Sequence, residues 1–274
     1  MSLGYLHIFG AANALNERIR VITAGVNSLV PAAVSKKERS EMEPYYKLGE
    51  LAKFLKRTEK ELIKLAENGS LKGRKVQGEW VFGSQDIVLW MEQAMIRMTP
   101  EETSKFEDAV VRADLEKEEF TLSEMLSPES IELEFPARTK PSIINEIVKL
   151  GERVGKLWDP ETMAQALRER EEKGSTAMGC GVAILHPQSP QSGVISENFL
   201  ALAIASRPVP FGGGFDGLTD VFFLLCCETQ AIHLRALAKL SRILKTPGFL
   251  DELRQCPDPM SICDLLAKAE RELD

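Results

Sequence analysis

Residues 170–186, REEKGSTAMGCGVAILH, decide how this chain is read. Gly181 to His186 is a short apolar run with the length of a buried strand. It ends on a histidine and follows a segment rich in Gly, Ser and Thr. Glycines let backbone N–H groups approach an anion, and Arg170 can neutralise its charge. A second histidine, His233, follows 47 residues later at the head of HLRALAKLSRIL. The chain holds three histidines, and these two share its C-terminal half. A histidine at a strand end behind such a turn suits reversible phosphoryl capture.

Around this stretch, residues 120–274 alternate helix and strand signals. Ile143, Ile144, Ile147, Val148 and Val154 have helical spacing, as do Met163, Ala164, Leu167 and Arg168. Leu234, Leu237, Ala238, Ser241 and Leu244 predict an amphipathic helix, and Ile262, Leu265, Leu266 and Ala269 a last one. Phe199 to Ala205 and Val221 to Cys227 read as further strands. Strands interleaved with helices of this length predict an α/β layer fold, a mixed sheet flanked by helices. Cys226 and Cys227 read as core, and Gly212 to Gly214 as a turn, since no GxxxxGK[ST] follows.

Four segments of this half, in order, resemble the enzyme IIA domain of the mannitol/fructose/nitrogen-regulatory class of the phosphoenolpyruvate phosphotransferase system. They are TLSEMLSPESIELEFPARTK (121–140), REEKGSTAMGCGVAILH (170–186), PFGGGFDGLTDVFFLL (210–225) and HLRALAKLSRIL (233–244). The resemblance implies that His186 accepts a phosphoryl group from a histidine on an HPr-type carrier. It places Arg170 beside that site and His233 as the second histidine. Arg170 would stabilise charge on the equatorial oxygens, and His233 would donate to or orient His186. Thr176 matches a polar position that bonds the phosphate or caps the turn. The chain departs from the family around the acceptor. Leu185 stands where members usually have proline, and Pro187-Gln188 where they have glycine and a basic residue. Pro187 has no backbone N–H to offer a phosphate. Cys180 replaces the asparagine common in the nitrogen-regulatory branch.

Residues 45–95 form a second unit. Leu48, Leu51, Ala52 and Leu55 predict one helix, and Leu62, Leu65 and Ala66 another that stops at Asn68-Gly69. Thr58 and Glu61 have capping-box spacing. Leu71 to Phe82 reads as a hairpin, and a third helix follows from Ser84 with Ile87, Val88, Trp90 and Met91 inward. The run from Tyr45 to Glu92 resembles the excisionase/MerR-type winged helix-turn-helix. That resemblance implies a DNA contact through Arg57, Lys60 and Lys64 on the second helix and Lys72, Arg74 and Lys75 on the wing. Nine Lys/Arg against seven Asp/Glu leave this unit only weakly basic. Docking to protein is the alternative use, and a homodimer would double the charge footprint.

The remainder is simpler. Residues 1–44 read as a loosely ordered arm, and residues 96–119 as a charged helical linker with eight acids against four bases. The 274 residues suffice for two modest domains, and the net charge of −7 excludes a protein that coats nucleic acid throughout. No run of 18 apolar residues and no signal peptide is seen, and five cysteines without CxxC pairing fit a reduced cytoplasmic protein. No metal and no cofactor are expected. The combined expectation is a regulator phosphorylated on His186 and coupled to a DNA-binding module. The alternatives are a carrier that passes phosphate to a downstream regulatory protein, or a degenerate domain acting only by protein contacts.

Overall fold

Two parallel strands, Val182–Leu185 and Leu218–Cys226, lie side by side near the middle of a five-stranded mixed sheet, and both end near the histidines. The computed structural model describes residues 45–55, 57–104, 107, 119–191, 193–212 and 217–273. The expected N-terminal arm, most of the expected linker and the glycines Gly213 and Gly214 lie outside them. The chain divides into two units between Lys117 and Glu118.

The first unit runs β1 (Tyr45–Lys47), α1 (Leu48–Leu55), α2 (Glu59–Glu67), β2 (Arg74–Val76), β3 (Glu79–Gly83) and α3 (Ser84–Arg97). Residues 100–104 are also helical. Thr58 caps α2: its hydroxyl accepts from Glu61 N at 3.3 Å, and Glu61 Oε2 accepts from Thr58 N at 2.9 Å. The hairpin turns on Gln77 and Gly78, both at positive φ, the requirement of a type I′ turn. β1, which sequence reasoning did not anticipate, completes a three-stranded antiparallel sheet beside β3. Leu51, Leu55, Leu62, Leu71, Phe82 and Ile87 form the core. Gly73 is needed there, because a Cβ would meet the Phe82 ring at 2.6 Å.

The second unit runs α4 (Leu122–Met125), β4 (Leu126–Phe135), α5 (Lys140–Arg153), α6 (Pro160–Glu172), β5 (Ala177–Gly179), β6 (Val182–Leu185), β7 (Phe199–Pro210), β8 (Leu218–Cys226), α7 (Gln230–Leu244), α8 (Phe249–Gln255) and α9 (Pro259–Arg271). The strand order is β4-β7-β8-β6-β5, with β4 parallel to β7, β8 parallel to β6, and the other pairs antiparallel. The expected mixed sheet flanked by helices is present. Apolar residues of α5 and α6 meet Ala183, Leu185, Ala201, Ala203, Phe222 and Leu224 in one core, while α7 and α9 pack on β8 and β4. Relative to the sequence reading, the strand ending at the histidine is shorter: it stops at Leu185, and His186 is the first residue beyond it. β4, β5, α4 and α8 were not anticipated. β4 contains Pro128 and two register irregularities, tolerable because it is an edge strand. Arg153 of α5 steadies it by donating to Glu129 O, Ile131 O and Glu132.

One carboxylate ties the ends of this unit together. Buried Glu270 of α9 accepts from Leu122 N at 2.7 Å, Ser123 N at 3.0 Å and Ser123 Oγ at 2.9 Å, and pairs with Lys239 Nζ at 3.2 Å. Burial pushes its pKa up, but these donors and the lysine outweigh burial and hold it below the usual glutamate range. A depressed folded-state pKa stabilises the protein above the unfolded value and loses that stabilisation as pH falls through the folded value. Glu270→Gln should therefore cost about 2 kcal/mol near neutral pH. In urea unfolding that deficit should hold above about pH 4.3 and shrink in more acid solution. A deficit of the same size at every pH would contradict the assignment.

The β5–β6 hairpin turns on Cys180 (φ 50°) and Gly181 (φ 82°), again a type I′ turn. Asn is the favoured first residue there, and cysteine bears the left-handed strain. Arg254, paired with Asp220 at 2.7 and 2.8 Å, donates to Cys180 O at 3.1 Å and braces the turn. Cys180→Asn should raise stability by about 1 kcal/mol. A loss of stability in thermal unfolding would refute the turn's cost.

Candidate functional site

The site begins with strand direction. β6 and β8 are parallel and in register from Val182↔Val221 to Leu185↔Leu224, so their C-terminal ends lie level. His186 leaves the end of β6. A short connection after β8 leads to Thr229, whose side chain accepts from Ile232 N and starts α7. His233 sits in the first turns of that helix, and its ring centroid is 4.9 Å from that of His186, tilted by 53°. Both rings are buried.

The His186 tautomer follows from one contact. Its Nδ1 lies 2.9 Å from Ile184 O, and a carbonyl oxygen only accepts. Nδ1 therefore holds the proton and Nε2 the lone pair. The same hydrogen bond fixes the ring and would stabilise a positive imidazole after Nε2 acquires a substituent.

Arg170 lies in the last turn of α6, inside the charged run RERE, where a solvent-facing side chain is the ordinary expectation. It is instead 1% exposed. Its Nη1 donates to Gly174 O at 2.9 Å, which anchors it to the turn leading into β5. Thr176 is fixed differently. Its N–H and hydroxyl both donate to Glu171 Oε2, at 2.9 and 2.7 Å, while Lys140 pairs with the other oxygen at 2.9 Å. Of the two roles considered for Thr176, this geometry favours holding the turn, since its hydroxyl proton is committed to a carboxylate. Its carbonyl accepts from Ile184 N at 3.2 Å, which aligns the turn with the strand carrying His186.

Sequence reasoning missed Glu171, Lys140 and Lys173. The Lys173 ammonium donates to the side-chain oxygen of Gln188, two residues past His186. A cation thus stands beside the position where the family usually has a basic residue. The signal available was a lysine three residues after Arg170 in the same run. Cys226 and Cys227 are core residues whose thiols burial pushes up, the opposite of a reactive cysteine.

In the first unit, Lys60, Lys64, Lys72, Arg74 and Lys75 are exposed. Arg74 lies 4.5 Å from the Tyr45 ring centroid and Lys75 5.2 Å from that of Trp80. Arg57 differs: it is half-buried and lies over Trp90 at 5.4 Å. That stacking holds it against the unit, so five of the six basic residues remain on the surface.

Comparison with known proteins bears on the second unit. Residues 124–269 match the family described as phosphoenolpyruvate-dependent sugar phosphotransferase system, EIIA 2. A nitrogen regulatory protein of Bradyrhizobium diazoefficiens is 30% identical over 149 residues, spanning 53% of this chain and 94% of that protein. A fructose-specific EIIABC component from Bacillus subtilis is 24% identical over 161 residues, but the match spans only 24% of that protein. Among solved structures, the nitrogen regulatory protein IIA-Ntr of Neisseria meningitidis aligns with a TM-score of 0.48 at 25% identity, covering 53% of this chain and 97% of that one.

Proposed function

The chain belongs to the phosphoenolpyruvate-dependent sugar phosphotransferase system EIIA 2 family, and from that premise we propose that it is a phosphorylatable regulator. His186 takes a phosphoryl group from a phosphohistidine on an HPr-type carrier. The observation that supports this best is the buried pair His186, just past β6, and His233, in the first turns of α7, rings 4.9 Å apart. In the transfer, the Nε2 lone pair forms the new N–P bond. The donor nitrogen keeps the electron pair of the bond that breaks. The Nδ1 proton stays on His186, bonded to Ile184 O, so the product ring is cationic and remains a good leaving group. Arg170, His233 and the Lys173–Gln188 pair supply positive charge or donors around the phosphoryl oxygens.

The experiment is incubation with phosphoenolpyruvate, enzyme I and an HPr-type carrier, followed by intact mass. The wild type should gain one phosphoryl group and His186→Ala none. An unchanged wild-type mass with several carriers would favour the rival reading, a domain that acts by contact alone, whose support is the missing N–H of Pro187.

The first unit, on this proposal, is a winged helix-turn-helix that contacts DNA through α2 and the β2–β3 hairpin. Glu61, which would repel phosphate if it faced the groove, is turned back onto Thr58. Each lysine that neutralises one phosphate contributes about one to the slope of log affinity against log salt. The double variant Lys60→Ala, Lys64→Ala should lower that slope by about two on duplex DNA. Duplex binding that is absent, or indifferent to both lysines, would instead make the unit a protein-docking module.

A further inference from the structure

The side chain of Gln230 poses a problem that the fold does not solve. Gln230 is the first residue of α7, the helix that carries His233. Its Nε2 is shielded from solvent, and it has no hydrogen-bond partner. An amide donor left unpaired in a protein interior is costly and uncommon, so its retention calls for an acceptor. Local structure does not provide one. The helix start is already capped by the Thr229 hydroxyl on Ile232 N, and Gln230 is not needed for that role.

Its position indicates where the acceptor arrives. Gln230 and His233 are three residues apart, hence neighbours on one face of α7. Helical side chains lean toward the N-terminus, so both side chains lie over the first turn of α7. The His186 ring lies 4.9 Å from that of His233. An anion on His186 would also meet the positive end of a 15-residue helix. The neighbouring backbone strengthens the case: Pro187 cannot donate, so the segment carrying His186 lacks the N–H of the next residue.

We infer that the Gln230 amide is a catalytic donor, bonding through Nε2–H to an oxygen of the phosphoryl group on His186 and replacing the donor lost at Pro187. This rests on the phosphohistidine reading above. The amide keeps both of its protons throughout. It stabilises the oxygens while the N–P bond forms and again while it breaks.

The test uses the full chain with Gln230→Ala and Gln230→Glu. The charging rate is followed by intact mass with phosphoenolpyruvate, enzyme I and an HPr-type carrier. In parallel, the side-chain amide of Gln230 is followed by NMR during titration with inorganic phosphate, and thermal unfolding checks that both variants fold. Loss of a charge-assisted donor should slow charging about tenfold or more in Gln230→Ala. Gln230→Glu, which preserves shape but presents a negative acceptor, should be slower still. A packing role predicts the reverse order, because the glutamate fills the space and the alanine does not. If the wild type charges and both variants keep pace, or the glutamate outruns the alanine, the inference falls and the phosphohistidine reading stands. If no carrier charges the wild type, that reading falls and the titration decides the inference. A Gln230 amide shift with phosphate sustains it as an anion donor, and no shift overturns it.

Discussion

The parallel register of β6 against β8 is the constraint on which the site depends. Parallel neighbours end at the same edge of a sheet, and whatever follows each strand emerges there. β6 is followed at once by His186, and β8 by the short connection into α7. A one-residue slip would turn every side chain of β6 to the opposite face, moving Ala183 and Leu185 out of the core they share with Phe222 and Leu224. The apolar core thus sets the register, and the register brings two histidines 47 residues apart in sequence into ring contact. The braced turn at Cys180 and Gly181 adds to this, since it fixes where β6 begins.

A second layer of control works through charge. Glu171 and Arg170 are adjacent in sequence and hold different parts of one turn. Glu171 spends one oxygen on Lys140 and the other on Thr176. The acid therefore holds the turn, and Arg170 anchors on Gly174 O beyond it. Arg170 is 1% exposed, and a charge taken that far out of water is costly unless it is paired or hydrogen-bonded.

Much of this was legible in the residues. Helices with an apolar face and a side-chain cap were readable: α2 with its Thr58–Glu61 box, α5, α6, α7 and α9. The strands of the sheet's centre were readable as short apolar runs. β4 was not, because Ser127-Pro128-Glu129 interrupts its alternation and the parallel edge position that tolerates proline is a tertiary fact. β5 is three residues long and exists only through pairing with β6. At the site, His186, His233 and Arg170 could be named, but the burial of Arg170 could not, since RERE reads as a solvent face. Lys173 and Lys140 escaped notice for the same reason: a lysine in a charged run gives no sign of which carboxylate or amide it will meet.

The departures from the family pattern around His186 acquire a different meaning in three dimensions. Read along the chain, Pro187-Gln188 removes an N–H donor and a positive charge, which suggests a site in decline. Read in space, Lys173 reaches Gln188 from the end of α6. Gln188 thus carries a lysine by hydrogen bond where relatives carry a basic side chain covalently. A covalent cation is always present at its position, whereas a hydrogen-bonded one depends on the 173–176 turn staying in place. That turn is held by Glu171, and Glu171 in turn by Lys140 of α5. The Lys173–Gln188 contact is consequently coupled to the packing of α5 and α6, since the turn that carries Lys173 and receives Arg170 is the one that the Lys140–Glu171 pair steadies.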